Sequence, residues 1–66
     1  MNWELYEVWA VDSDGHEDLI DTTKDLKEAR ALAHANMRDA DDIIECVIYK
    51  EDSDGEMLEV EVVRSK

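Results

Sequence analysis

The chain has 66 residues, 44% of them apolar, and its nineteen acidic against seven basic side chains give a net charge of −12 and a pI near 4.2. That length holds one small domain with a modest core. The charge excludes direct binding to nucleic acid or an anionic membrane, where Lys and Arg must neutralise phosphates, and favours basic partners or cations.

Disorder is the default for so acidic a chain, but the apolar fraction, two Trp, two Tyr and a clear periodicity argue for folding. Cys46 is the only cysteine, so no disulfide supports the fold, and a lone thiol suits a reducing compartment. The start, MNWELYEVWA, lacks the basic residues and long apolar run of a signal peptide, and no segment reaches the ~18 apolar residues that span a bilayer. The expectation is a soluble cytoplasmic protein.

Residues 3–11, WELYEVWAV, are dense in aromatic and branched side chains and predict a first strand. DSDG at 12–15 follows, with Asp opening a type I turn and Gly supplying the left-handed position. Residues 16–21, HEDLID, return as a second strand. Asp25 with Glu28 three residues later reads as a capping box. From there Leu26, Ala29, Leu32, Ala33, Met37 and Ala40 share one helical face, with Lys27, Arg30, His34 and Arg38 opposite, so a helix is expected from Leu26 to Asp39.

Asp41 and Asp42 turn the chain into a third strand, IIECVIYKE at 43–51. DSDG recurs at 52–55, and EMLEVEVV at 56–63 forms a fourth strand. A shift of 40 residues superimposes the two turns and places Val8 on Ile48 and Trp9 on Tyr49.

The expected fold is α+β: a single compact domain over 1–66 with element order ββαββ. Strands 1 and 3 are apolar on both faces and suit the centre of a sheet, while acidic strands 2 and 4 suit its edges. A right-handed crossover then gives a four-stranded antiparallel sheet in order 2-1-3-4, with one helix packed on one face. Strict alternation would turn Tyr6, Val8, Ala10, Ile44, Cys46, Ile48, Leu58, Val60 and Val62 toward the helix. It would leave Trp3, Leu5, Glu7, Trp9, Glu45, Val47, Tyr49, Glu59 and Glu61 on the other face.

Catalytic and metal chemistry find little footing. An EF-hand-like loop with Gly15 or Gly55 at its sixth position would put Ala10 or Lys50 first, where a ligand carboxylate is required. No second Cys or His cluster offers zinc ligands, both glycines are in turns, and Cys46 follows the apolar parity of a buried thiol. No enzyme, cofactor or metal is expected.

Charge is instead segregated. Residues 1–23 contain no Lys or Arg, residues 39–63 only Lys50, and residues 24–38 carry Lys24, Lys27, Arg30 and Arg38 against Asp25 and Glu28. Solubility needs only about 2–8 net charges on a small domain, and crowding more of one sign destabilises it. The candidate partner-binding carboxylates are Asp12, Asp14, Glu17 and Asp18 around the first turn, Glu45 on strand 3, Glu51, Asp52, Asp54 and Glu56 around the second turn, and Glu59 and Glu61 on strand 4. Alternate strand residues stand roughly 6.8 Å apart, close to the phosphate repeat of a nucleic-acid strand. Trp3, Trp9 and Tyr49 form a candidate apolar interface.

A small acidic domain with its acids on hairpins and one helix on a sheet resembles the type I anti-CRISPR proteins of the DNA-mimic kind, encoded by phages and mobile elements. The resemblance rests on the whole chain and on no short motif. It implies a protein of the bacterial host cytoplasm that binds a basic nucleic-acid-binding complex, a CRISPR effector, in the channel DNA would use. Two alternatives stand beside it: an interaction module or antitoxin-like protein that neutralises another basic protein, and a homodimer through the aromatic sheet face with charge serving solubility.

Overall fold

The computed structural model describes residues 5–64, so Trp3 lies outside the described residues. Strands β1 (Tyr6–Asp12) and β2 (Glu17–Thr23) form the first hairpin, helix α1 (Leu26–Asp39) crosses over, and β3 (Ile43–Glu51) and β4 (Met57–Arg64) form the second. The sheet is antiparallel throughout in the order β2-β1-β3-β4, as the edge and centre composition predicts. No described helix is long and apolar enough to cross a membrane.

The helix begins where its sequence signals place it. Asp25 is extended and its carboxylate accepts the Lys27 backbone N–H at 3.0 Å, satisfying one of the orphan donors of the first turn. Glu28 in the first turn and Arg38 in the last complement the helix dipole. Ala29 and Ala33 are fully buried against the sheet, and their small side chains let the helix approach until the Cys46 thiol lies 3.7 Å from the Ala33 carbonyl.

The core is the layer between α1 and the two central strands. Val8 and Ile48 face each other across β1 and β3, both fully buried, and Ala10 pairs with Cys46 beside them. Burying a side chain such as Val8 or Ile48 contributes about 1.5–3 kcal/mol each. Val63 completes the layer, with Tyr6, Ile20, Leu26, Leu32, Met37 and Ile43 partly buried around it.

Burial, and secondarily the Glu45 charge, raises the Cys46 pKa. An unfolded thiol titrates near ~8.5, so the unfolded chain releases its proton first as pH rises. The stability this carries is intact below that value and is lost as pH climbs through the folded-state pKa. Urea unfolding midpoints are therefore expected to hold level from about pH 6.5 to 8 and to fall between about 8.5 and 10. Cys46→Ala should flatten that fall; an unchanged slope would remove the thiol as its cause.

Three β-bulges correct strict alternation. In the first hairpin the register shifts between Val8↔Asp21 and Trp9↔Leu19, leaving Ile20 as the extra residue. The second hairpin repeats this between Ile48↔Glu61 and Tyr49↔Glu59, leaving Val60 extra. A third shift between Val11↔Glu45 and Asp12↔Ile43 makes Ile44 extra.

Each bulge inverts the faces beyond it. Ile44 is 45% exposed and Ile43 packs on the core in its place. Val62 pairs with Val47 on the open face, and Val63, opposite Cys46, takes the core position expected for Val62. Val60 is bulged outward, and Leu58 lies on the edge strand that the helix covers least, leaving it half exposed.

The hairpins share more than a turn. A shift of 40 residues carries the bulge at Leu19–Ile20–Asp21 onto Glu59–Val60–Glu61, and Val8 onto its own cross-strand partner Ile48. The strand pairing is thus nearly two-fold symmetric about an axis through Val8 and Ile48, with α1 breaking the symmetry. The two DSDG turns are consequently at opposite ends of a molecule 39 Å long.

Candidate interaction surface

The repeated DSDG is first a turn, built identically twice. The Gly15 and Gly55 amides donate to the carbonyls of Asp12 and Asp52 at 3.0 and 3.1 Å, with both glycines at positive φ (88° and 84°). One carboxylate oxygen of Asp12 accepts the Asp14 and His16 N–H groups, both at 2.9 Å. Asp52 does the same for Asp54 and Glu56 at 2.8 and 2.9 Å. The His16 N–H leads the contacts that hold Asp12 below the usual carboxylate pKa, against a smaller opposing effect of desolvation.

Asp12 and Asp52 are therefore structural acceptors, and Asp14 and Asp54 point their charge outward. Asp12→Ala is expected to lower the melting temperature by roughly 5 °C, and Asp14→Ala by less than about 2 °C. Equal effects on a thermal melt would contradict this division of labour. Ligand atoms of Asp12, Asp14 and His16 lie within 4.8 Å of one another, but the Asp12 carboxylate there is already engaged by the turn amides and by His16 Nδ1 at 3.6 Å.

The carboxylates do not form one row. Ser13 donates its N–H to the Asp42 carbonyl at 3.0 Å, which joins the first turn to the α1–β3 connection, so Asp14, Asp41 and Asp42 share one end of the molecule. Glu51, Asp52, Asp54 and Glu56 gather at the other end. Asp18 stands opposite Ala10, on the helix side of edge strand β2.

Glu59 and Glu61 are separated by the Val60 bulge. Glu59 pairs with Tyr49 on the open face, whereas Glu61 pairs with Ile48 on the helix side. There Glu61 takes the Arg30 guanidinium in a two-oxygen grip, with Nε at 2.9 and 3.0 Å and Nη2 at 2.8 Å. The expected phosphate-like pair on one face is thus absent, because the extra residue turns one of its members over.

The face without the helix is more distinctive. Val47 is only 4% exposed there, although no helix covers it, on a central strand between its cross-strand partners, half-buried Trp9 and Val62. Trp9 Nε1 donates to Glu7 Oε1 at 3.0 Å, which fixes the indole on the sheet. Desolvation raises the Tyr49 pKa first, with Glu17, Glu59 and Glu45 adding to it in that order. Glu59 stands opposite Tyr49 across β3 and β4, and Glu17 lines the same part of the face.

Arg64 lies 3.5 Å from Glu45 at the margin. A shallow hollow of about 260 Å³ runs across this face, lined by Glu7, Trp9, Glu17, Tyr49 and Met57. Of the acids expected to bind a partner, the structure thus brings Glu17, Glu45 and Glu59 together with Trp9 and Tyr49, and distributes the rest to the two ends or to the helix side. Sequence reasoning did not place Glu7 and Met57 in the site. Glu7 was legible from its two-residue spacing to Trp9; Met57 becomes a neighbour only through the β3–β4 pairing.

Comparison of the chain with family models, with curated proteins and with solved structures finds no match.

Proposed function

We propose that this chain is a non-catalytic acidic inhibitor that occupies the nucleic-acid-binding surface of a basic partner, a bacterial CRISPR effector complex being the candidate its sequence resemblance implies. One observation carries the reading: carboxylates crowd the open face and both ends of the sheet, where Lys50 and Arg64 are the only bases on the described strands, while Lys27, Arg30 and Arg38 are on the helix. Such a field attracts a Lys- and Arg-lined channel and repels nucleic acid. The broken Glu59/Glu61 pair changes the form of the mimicry. The acids supply a broad negative potential around an aromatic centre, with no linear copy of a phosphate strand.

The test is capture by the tagged protein from a bacterial lysate with an active type I CRISPR system, washed in rising salt. Capture of the effector complex, released by salt or by added DNA, supports the reading; recovery of no nucleic-acid-binding protein overturns it.

The apolar centre of the open face favours a second reading, a homodimer packed sheet to sheet. Two copies meeting there would oppose Glu7, Glu17, Glu45 and Glu59 to their own equivalents, so such a dimer would tighten as salt screens the rim. Sedimentation at low and high salt separates the two: a monomer at both leaves the face to a basic partner.

A further inference from the structure

We propose that the hollow between Trp9, Tyr49 and Met57 is a receptor for a single arginine side chain presented by a basic protein partner. The inference rests on the reading above, in that it requires the partner to be basic, and it names what the partner inserts.

The hollow combines the two chemistries that a guanidinium uses. Trp9 and Tyr49 offer aromatic surface, on which a planar cation stacks, and Met57 adds a polarizable wall. Glu7 and Glu17 line the same space. The Glu7 carboxylate is oriented by its bond from the Trp9 indole, and that bond engages Oε1, leaving acceptor capacity on the group for a second donor. At about 260 Å³ the hollow falls below the usual range of small-molecule pockets, which suits one long side chain.

Charge complementarity selects the occupant. With Glu59 opposite Tyr49 as well, an acidic side chain would enter against an unfavourable field, and an apolar one would desolvate the carboxylates without pairing them. A second copy bringing the same face would bring the same carboxylates. Arginine is favoured over lysine because its flat, weakly hydrated fork can stack on a ring and bond to a carboxylate at once.

The experiment titrates ¹⁵N-labelled full-length protein with an octapeptide of alternating arginine and glycine, and in parallel with the lysine equivalent. The expected result is saturable shifts centred on the Trp9 indole N–H and the amides of Glu7, Glu17, Tyr49 and Met57, with at least about threefold weaker binding of the lysine peptide. Trp9→Ala should weaken the arginine peptide by about tenfold or more. Should that variant misfold, Glu17→Gln, on an exposed strand position, should weaken it by about threefold while keeping the dispersed spectrum of the folded protein.

Shifts spread equally over both DSDG turns, or Glu17→Gln and the lysine peptide leaving affinity unchanged, would overturn the inference. So would open-face resonances that move with the protein's own concentration before peptide is added, which would assign the face to a second copy. Capture of a DNA-binding complex without an arginine response would remove this receptor and leave the inhibitor reading in place. An arginine response without such capture would do the reverse.

Discussion

Ile48→Ala is expected to abolish cooperative folding near room temperature. The side chain is fully buried between Val8 and the alanine face of the helix, and truncating a buried Ile costs about 2–5 kcal/mol. A domain of this size has only about 3–10 kcal/mol in total, and its crowded carboxylates sit at the low end. Leu58→Ala removes a side chain of similar size that is half exposed, and should cost at most about 1 kcal/mol. Strict strand alternation would have put both residues in the core with similar penalties. Denaturant midpoints for the pair therefore test how little the helix covers edge strand β4, and equal losses would contradict it.

The second large effect concerns binding. Reversing Glu17 and Glu59 to Lys places two positive charges beside Tyr49 at the centre of the proposed contact. Each reversal removes an attraction and adds a repulsion, so partner affinity should fall by at least about 30-fold, roughly 2 kcal/mol. Reversing Glu28 and Asp39 alters net charge equally but on the helix, and should change affinity by less than about threefold. Competition binding on a basic partner checks the comparison. Equal losses from both pairs would mean that only net charge matters and that the open face has no special part.

Much of this fold is legible in the residues because several levels of sequence signal agree. Asp25 before a 3.6-residue apolar period places the helix start, and the two Asp-Ser-Asp-Gly runs place both hairpin turns. The acidity of β2 and β4 against the two-sided apolarity of β1 and β3 orders the sheet. What alternation misses is where a strand carries one residue too many.

A bulge needs no glycine and leaves no motif here, yet an indirect signal exists. Leu19–Ile20, Ile43–Ile44 and Val62–Val63 are adjacent apolar pairs, and each lies at or near a register shift. Alternation sends the members of such a pair to opposite faces without saying which is the core member, and at two of the three the core takes the one that strict alternation turns outward, Ile43 and Val63.

The candidate site divides in the same way. The aromatic pair Trp9 and Tyr49 is found by parity, since the extra residues beside them lie on β2 and β4 and leave the β1–β3 register through them unbroken. The acids are found as a crowd but not as an arrangement. Asp12 and Asp52 are spent on turn amides, Glu61 is turned to Arg30, and the two turns stand at opposite ends because β1 and β3 are antiparallel. Local sequence carries the charge of each residue; only pairing across strands decides which charges share a surface.

The most direct test of the central claim is displacement of DNA from a purified type I CRISPR effector complex. Fluorescence anisotropy would follow a labelled target duplex as this protein is added at two salt concentrations. The account predicts that the duplex is released near stoichiometric protein at low salt, and that the protein's own affinity for the complex falls by at least about tenfold between 50 and 200 mM salt. Anisotropy that stays at its bound value at every protein concentration, in low salt as in high, would contradict it.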